Sequence, residues 1–466
     1  MFSRARWLLL GALAAWFLYG FGLARTGFLS VDEPRYASIG RAMAESGDWI
    51  SPRLDGAPWL EKPPLLFWMT AAGWKFGLRD EWAARLPVAL SAVAFLLLFW
   101  WCLRREFSDE IALASTGILA TCGGWLLYSH VAVTDIPLAV TFGAAMLLAW
   151  RGWFKLAGVS LGLAVLAKAL VPLALALPLL WWFRRQWRSL ILPILLTLAV
   201  AGPWYAVAFS RHGQAFFDEL IVRHHFARFF AAKAQVLHPQ PIWFYLPVLM
   251  ALLLPWTPLA FATRPKRLWS DDRSRFFVIW LTYGLLFFSL ASGKLPGYLM
   301  PLLPAASLLL GISVVEAGRP RAWLWAVAAV ACAIFAAPDE RLLENIVSSG
   351  PFVTNLAWAG LGAGVVVGWW AGGTFLRTLA VVILLMGSLR HWAAGLAERH
   401  TARPFAGLAG QICAEENLHR AWRYGLAYYS HAGLPDCKLT PRRWHASDGD
   451  SGLYLSETNP QSPPAK

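Results

Sequence analysis

Two uninterrupted apolar stretches decide the fold class: VALSAVAFLLLFWW at residues 88–101 and LILPILLTLAVAGPWYAVAF at residues 190–209. A helix needs about 20 mostly apolar residues to cross the hydrocarbon core of a bilayer. Similar stretches recur along the chain, and of its 466 residues 58% are hydrophobic and only 15% are charged. Soluble domains are about half apolar and about a quarter charged. The sequence therefore predicts an all-α membrane protein with many spans rather than a soluble domain.

Apolar stretches of helical length predict about thirteen transmembrane helices. We place them at residues 7–24, 84–103, 110–129, 136–150, 156–168, 170–183, 189–209, 242–262, 276–291, 298–316, 322–338, 353–371 and 375–390. The first stretch follows Arg4 and Arg6, as in a signal peptide. It is long enough to span, however, and no convincing cleavage site follows. We interpret it as a retained first helix of a transmembrane domain at residues 1–390.

The net charge of +14 reports the topology of the chain rather than nucleic-acid binding. Short cytoplasmic loops carry an excess of lysine and arginine. Much of the basic charge here lies in short connectors, at residues 104–105, 151–155, 184–188, 264–275 and 319–321. With thirteen spans and the N-terminus inside, all of these connectors fall on the cytoplasmic face. We therefore predict a multi-pass membrane protein that contacts membrane lipids and has no nucleic-acid partner.

Four notable segments lie outside the cytoplasm in this topology. They are a first periplasmic loop at residues 26–81, a second periplasmic loop at 210–241, a short link at 292–298 and a C-terminal region at 391–466. The C-terminal region ends in a tail rich in proline and serine, which we expect to be disordered. Cys413 and Cys437 lie in this region. They could pair if the region is periplasmic, and free thiols are the alternative.

The first periplasmic loop carries signals for two helices. The run DEP at residues 32–34 resembles a helix start, because an acid suits the cap and proline suits the first turn. Apolar and polar residues then alternate at helical spacing over 35–46. Pro63-Pro64 begins a second stretch at 65–76 that is rich in Leu, Phe and Trp. We expect both helices to lie along the membrane surface.

Three acidic positions stand at membrane boundaries on the outer face: Asp32 with its neighbour Glu33, then Glu61, then Asp135. Ionisable groups close to the apolar region are costly unless they are paired or functional. For Asp32 and Asp135 a structural alternative is helix capping, because both precede a proline-started helix. Convergence of three acidic positions on one face favours a functional site.

Several motifs occur in an order that resembles a known family. The first loop carries DEPRYA at 32–37, SGDW at 46–49 and EKPPL at 61–65. The series continues with TDIP at 134–137, LAK at 166–168, His238 followed by PIWFY at 241–245, and SGKLPGY at 292–298. Together they resemble the bacterial aminoarabinose transferase family, whose members move 4-amino-4-deoxy-L-arabinose from undecaprenyl phosphate to lipid A.

That family is related to protein O-mannosyltransferases and shares the GT-C fold. The resemblance covers roughly residues 1–310. It implies a GT-C bundle in the bacterial inner membrane and an enzyme that transfers a sugar, on the periplasmic face, from a polyprenyl-phosphate donor to lipid A or another cell-envelope acceptor. A direct single displacement would invert the anomeric centre. Typical members are longer, and the region from residue 390 onward matches no family motif, so the acceptor stays open.

Charge chemistry suggests roles for the residues in these motifs. Negative charge builds on the leaving phosphate as the glycosidic bond breaks, and positioned cations stabilise it. Lys62 is the leading cation, and a simple pair with Glu61 is its structural alternative. The family resemblance implies Asp32 as the general base for a hydroxyl acceptor, with Asp135 as the second choice. A phosphate acceptor is already ionised and needs only positioning.

The remaining candidates bind substrate or metal. We assign binding of the donor phosphate and of the substrate to five residues: Arg35, Tyr36, Lys168, Lys294 and Tyr298. Snorkelling alone could explain Lys168 and Lys294. Glu61 and His238 match positions that can hold a divalent ion in the family. Two protein ligands are too few for a tight zinc site, so a metal stays an open alternative.

Two other functions compete with lipid glycosylation. A protein O-glycosyltransferase would use the same fold and donor chemistry. A transporter or flippase would need polar residues along a path through the spans. The predicted spans are nearly free of charge and the acids cluster at one face, which favours an enzyme.

Overall fold

The computed structural model describes residues 4–227, 240–317, 382–383, 386, 400–408, 410–431, 433–449 and 452–457. Helices dominate these residues. The predicted spans at 322–338 and 353–371, and nearly all of the span at 375–390, lie outside the described residues. The number of thirteen spans therefore stays a prediction.

Most predicted spans in the described part of the chain are helical. The helices are α1 (Arg4–Ala15), α4 (Asp80–Leu103), α5 (Asp109–Thr121), α6 (Gly123–Tyr128), α7 (Asp135–Trp150), α8 (Phe154–Lys168), α9 (Val171–Leu175), α10 (Leu177–Trp182), α11 (Ile191–Phe217), α12 (Tyr245–Leu252), α13 (Pro265–Ser270), α14 (Asp272–Leu290) and α15 (Leu303–Ala317). A π-helical turn at Trp16–Gly20 extends α1, and a 3-10 segment at Pro296–Leu302 leads into α15.

By length and composition, three helical segments of the described residues can cross a membrane: Asp80–Leu103, Arg184–Arg223 and Pro296–Glu316. Other predicted spans are shorter or divided. The span predicted at 170–183 consists of α9 and α10, because Pro172 and Pro178 each lie in the first turn of a separate helix. The chain is an integral membrane protein in which several helices are broken.

The first predicted periplasmic loop forms the two expected helices, α2 (Asp32–Ser46) and α3 (Leu65–Lys75). Between them lies a hairpin of β1 (Arg53–Leu54) and β2 (Ala57–Pro58). The apolar faces of α2 and α3 pack together through Tyr36, Ile39, Met43, Leu66 and Phe67, all buried in the main core cluster. Both predicted helices are therefore confirmed.

The C-terminal region departs from the all-α prediction. Strand β3 (Ile412–Ala414) pairs in parallel with β4 (Trp444–Gly449), which pairs antiparallel with β5 (Gly452–Glu457). Helix α16 (Arg420–Ser430) follows β3, and Cys413 and Cys437 form a disulfide. The prediction missed the strands because each has at most six residues and lies outside the long apolar periodicity.

Helix α16 packs against α2, so the C-terminal domain rests on the first loop. The Tyr429 hydroxyl accepts a hydrogen bond from the Phe28 N–H at 2.8 Å and donates one to Glu81. The Arg41 guanidinium lies 4.3 Å from the ring centroid of Tyr428. These contacts place a soluble domain directly over the helix that begins at Asp32.

Candidate active site

A buried ion pair holds the start of α2. Glu33 and Arg85 have side chains that are 0% and 2% exposed, and the guanidinium donates to both carboxylate oxygens at 2.6 and 2.8 Å. Arg85 also donates to three backbone carbonyls of residues 23–27. Glu33 in turn accepts from the Ala132 N–H at 2.9 Å, just ahead of α7. This network joins α2, α4 and the approach to α7.

Arg85 was missed by sequence reasoning. The available signal was an arginine at the start of an otherwise apolar helix, where a charge needs a partner.

Asp32 and Glu61 meet through Arg35. An Asp32 carboxylate oxygen accepts from Arg35 Nη2 at 2.5 Å, and Arg35 Nη1 lies 3.7 Å from Glu61 Oε1. The Asp32 side chain stays 42% exposed. The residue before α2, Val31, makes no side-chain cap bond, and Asp32 is the first residue of the helix. The capping alternative for Asp32 is therefore wrong, because its carboxylate pairs with a cation instead.

Asp135 forms a second ion pair. Lys168 at the end of α8 donates to Asp135 Oδ1 at 2.8 Å, and its Nζ lies 4.4 Å from the ring centroid of Tyr298. Asp135 begins α7 without capping it, so the capping alternative is wrong here as well. The pairing also gives Lys168 a definite partner, which snorkelling alone would not require.

A glycine lets the link before α15 approach Asp135. A Cβ atom added to Gly297 would lie 2.8 Å from the Asp135 Cγ atom and 2.8 Å from a ring carbon of Tyr128. Any larger residue would have to displace one of them. The motif SGKLPGY thus brings Tyr298 to the acid through close backbone packing.

Tyr36 is buried beside Arg35 on α2. Burial raises the pKa of Tyr36 well above its usual range; the negative charges of Asp32, Asp135 and Glu61 add to the rise, and Arg35 opposes it. The phenol therefore stays protonated and can donate a hydrogen bond. The hydrogen bond from the Ala132 N–H to Glu33 joins the start of α2, which carries Asp32, to the segment just before Asp135.

The two other predicted cations take different positions. Lys62 lies half-buried at the start of the Pro63-Pro64 turn, beside Glu61. Lys294 is buried, and its Nζ donates to the backbone carbonyls of Ala291 at 2.5 Å and Gln240 at 3.1 Å. The Lys294 contacts join the end of the second outer loop to the link before α15. A role for Lys294 in binding the donor stays a prediction.

The metal alternative gains no second ligand from the residues that the structure describes. His238 lies outside them, and Glu61 has Arg35 as a cationic neighbour. Among the described residues, the group of at least three potential ligands is Cys413, Cys437 and His445, and its two cysteines are joined by the disulfide. These side chains do not form a divalent-ion site around Glu61.

Sequence comparison identifies the family. The family model for dolichyl-phosphate-mannose-protein mannosyltransferase matches residues 7–257, more than half of the chain. The protein belongs to this mannosyltransferase family. The matched residues include both ion pairs, Asp32–Arg35 and Asp135–Lys168, and the buried Glu33–Arg85 network.

The mannosyltransferase-family chain is similar to curated bacterial enzymes. An undecaprenyl phosphate-alpha-4-amino-4-deoxy-L-arabinose arabinosyl transferase from Pseudomonas aeruginosa (strain UCBPP-PA14) is 32% identical over 68% of this chain and 61% of its own length. One from Sodalis glossinidius is 34% identical over 60% of this chain and 54% of its own length. The chain therefore spans about three fifths of the relatives it matches, and the resemblance read from the motifs is confirmed.

Solved structures share the fold. ArnT from Cupriavidus metallidurans, crystallised with undecaprenyl phosphate, superposes with a TM-score of 0.76 at 22% identity and covers 96% of this chain and 94% of that chain. An Archaeoglobus fulgidus oligosaccharyltransferase superposes with a TM-score of 0.50 at 12% identity over 92% of this chain and 63% of that chain. The chain thus has the architecture of membrane glycosyltransferases.

Proposed function

We propose that the protein transfers a sugar from a polyprenyl-phosphate donor to an acceptor at the outer face of the membrane. The observation that carries this proposal is the presence of two ion pairs, Asp32–Arg35 and Asp135–Lys168, at the starts of α2 and α7, which the hydrogen bond from the Ala132 N–H to Glu33 links. Carboxylates and cations in one half-exposed site can stabilise a phosphate and position an attacking oxygen. Family membership supports the same chemistry.

We propose the substrates of this protein from the names of its relatives. Those relatives are named for undecaprenyl phosphate-alpha-4-amino-4-deoxy-L-arabinose, and ArnT was crystallised with undecaprenyl phosphate. We therefore expect undecaprenyl phosphate as the carrier and an aminoarabinose-like sugar as the group transferred. Lipid A is the first choice as acceptor. We expect acceptor choice to differ in the region from residue 390 onward, which carries no motif of the family.

The mechanism we propose is a single displacement at the anomeric carbon, which inverts the configuration. The acceptor oxygen forms the new bond while the bond to the carrier phosphate breaks, and the electron pair leaves with the phosphate. Lys62 stabilises that phosphate as an ammonium point charge. Lys168, half-buried beside Tyr298, supplies a second positive charge.

Asp32 has the geometry expected of a base or an orienting group. One oxygen is held by Arg35 while much of the side chain stays exposed, so an acceptor can reach the carboxylate. A hydroxyl acceptor would give its proton to Asp32. A phosphate acceptor carries no such proton, and Asp32 would then orient the sugar. Tyr36, kept protonated, donates a hydrogen bond to either substrate.

The outer face of the site is the periplasm in this proposal, with thirteen spans in an inner membrane. The disulfide between Cys413 and Cys437 supports it, because disulfides persist in the periplasm and are rare in the cytosol. A reporter that is active only in the periplasm should be active when fused at Lys466 and silent when fused at Asp271. The reverse pattern would place the acids in the cytoplasm.

Transfer itself can be tested with purified protein in proteoliposomes. We expect undecaprenyl phosphate to be released when an undecaprenyl-phosphate sugar and lipid A are both present, together with lipid A that gains the mass of the sugar. Sugar appearing on a protein acceptor instead would indicate O-glycosylation. Movement of the intact donor across the bilayer without release of its carrier would indicate a flippase and contradict the proposal.

A further inference from the structure

The C-terminal domain places one aromatic ring inside the candidate site. Tyr424 lies on α16, and its ring centroid is 5.6 Å from the Arg35 Cζ atom. The rings of Trp59 and Tyr36 lie 5.2 and 5.4 Å from the same atom. Three rings from three segments therefore surround one guanidinium, and α16 supplies the one that is most distant in sequence.

This enclosure limits how Arg35 can move. Its two terminal nitrogens face Asp32 and Glu61, and its Nε is a buried atom without a hydrogen-bond partner among the described residues. Hydrogen bonds therefore leave one edge of the guanidinium unconstrained. Contact with aromatic faces supplies the missing constraint, because a cation within about 6 Å of a ring centroid is attracted to the ring.

We propose that Tyr424 is a positioning residue for the transfer reaction: it holds Arg35, and Arg35 holds the Asp32 carboxylate that faces the acceptor. The C-terminal domain then forms part of the active site. This inference rests on the proposed function. It also gives the domain a role in the chemistry in addition to docking on the first loop.

A second arginine–tyrosine contact provides the matched control. Arg41, almost two helical turns beyond Arg35 on α2, lies 4.3 Å from the Tyr428 ring centroid. It also donates to the Tyr428 carbonyl at 3.1 Å and lies 3.0 Å from His431 Nδ1. This contact joins the same two helices but does not include Asp32. Any effect that comes only from docking the domain should therefore appear at Arg41 as well.

The experiment compares Tyr424→Leu, Tyr424→Phe and Arg41→Leu in purified protein, measuring Tm, kcat and the KM for the donor. We expect Tyr424→Leu to lower kcat about tenfold, or about 1.4 kcal/mol of barrier. Its Tm and donor KM should stay close to those of the wild type. Tyr424→Phe should retain most of kcat, because it keeps the ring. Arg41→Leu should lower Tm and leave kcat of the folded protein unchanged.

A double substitution tests whether the effect passes through Arg35. In an Arg35→Lys background the planar guanidinium is gone, so Tyr424→Leu should cause little further loss. Wild-type kcat in Tyr424→Leu, or equal losses in the Leu and Phe variants, would overturn the inference while leaving the proposed function intact. If the loss of kcat in the double variant equals the product of the two single losses, the inference would be overturned in the same way. A wild-type protein without transferase activity would instead remove the proposed function, and the inference with it.

Discussion

Glu33 and Asp32 are adjacent acids with opposite surroundings. Glu33 is fully buried and receives two bonds from Arg85 and two more from backbone N–H groups. Asp32 has one close partner, Arg35, and its side chain is 42% exposed. Successive residues of a helix point about 100° apart, so one faces the protein interior and the other faces the site.

The comparison separates structural charge from chemical charge. A buried pair whose bonds are all satisfied has no oxygen left for a substrate, and losing either partner leaves an unpaired charge in the core. A half-exposed acid with a single cation can exchange that partner for a substrate. The sequence motif DEP therefore carries one residue for the fold and, in the proposed function, one for the reaction.

The largest effect should come from breaking the buried pair. Arg85→Met leaves Glu33 buried without its cation and should cost about 3–5 kcal/mol of folding free energy. We expect a large drop in Tm and in the yield of monodisperse protein in detergent. Arg35→Met is the control: Asp32 is 42% exposed and stays hydrated without its cation, so the protein should lose less folding free energy, part of it from the aromatic contacts of Arg35. Similar Tm values for the two variants would show that the Glu33–Arg85 pair stabilises the fold no more than the Asp32–Arg35 pair does.

Asp32→Asn should instead impair transfer without unfolding the protein. Loss of a general base typically costs about 10²–10⁴-fold in rate, which is the expectation for a hydroxyl acceptor. For a phosphate acceptor the loss should be smaller and nearly independent of pH around neutrality. Asp55→Asn in the same loop is the control, since its exposed side chain stands in a turn with φ of 50° that asparagine tolerates. Wild-type rates in Asp32→Asn would remove Asp32 from the mechanism.

Lys62 tests the cationic side of the site. Lys62→Ala should lower turnover by more than about tenfold, or about 1.4 kcal/mol of barrier, because the leaving phosphate loses its counter-charge. Lys62→Arg should restore turnover only in part, since a planar fork differs in shape from an ammonium. Lys75→Ala, an exposed lysine at the end of α3, should have no effect on turnover. Full activity in Lys62→Ala would leave Lys62 as a surface residue.

The Asp135–Lys168 pair should behave as one unit. Asp135→Asn and Lys168→Met should each lower transfer less than Asp32→Asn does. The double variant should be no worse than either single one, with a coupling energy of about 1 kcal/mol. Rates of the three variants give this value directly. Additive losses would mean that the two residues act independently, despite their 2.8 Å contact.

Glu81 is a second buried acid, but its partners offset the cost of burying its charge less completely than Arg85 does for Glu33. Burial raises the pKa of Glu81, although the Tyr429 hydroxyl, Arg85 and Arg403 oppose the rise. The folded state therefore holds this proton more tightly than the unfolded state. Its contribution to stability should fall as pH rises from about 4.3, the unfolded pKa, through the raised folded value.

The matched variant is Glu81→Gln, which keeps an acceptor for Tyr429 but does not titrate. Its Tm should vary less with pH over this window than the Tm of the wild type. If Tm depends on pH in the same way in both proteins, protonation of Glu81 does not affect stability. We expect this to be the smallest of the five effects.

Local sequence determined the helices and the residue types of the site. Helical spacing over 35–46 predicted α2, and the Leu-, Phe- and Trp-rich stretch after Pro63-Pro64 predicted α3. The ordered motifs named Asp32, Arg35, Asp135 and Lys168. These signals are readable because periodicity and short motifs depend only on neighbouring residues. The same reasoning missed the strands of the C-terminal domain, which are too short to produce a clear period.

Only the tertiary structure decided which charges meet. Asp32 pairs within its own helix, but Asp135 pairs with Lys168 from the next helix, and Glu33 pairs with Arg85, 52 positions away. Tyr424 reaches Arg35 from the opposite end of the chain. Sequence shows that a charge near the membrane needs a partner, but packing of separate helices selects which partner lies within a few ångströms. That selection made Glu33 a structural residue and left Asp32 open to a substrate.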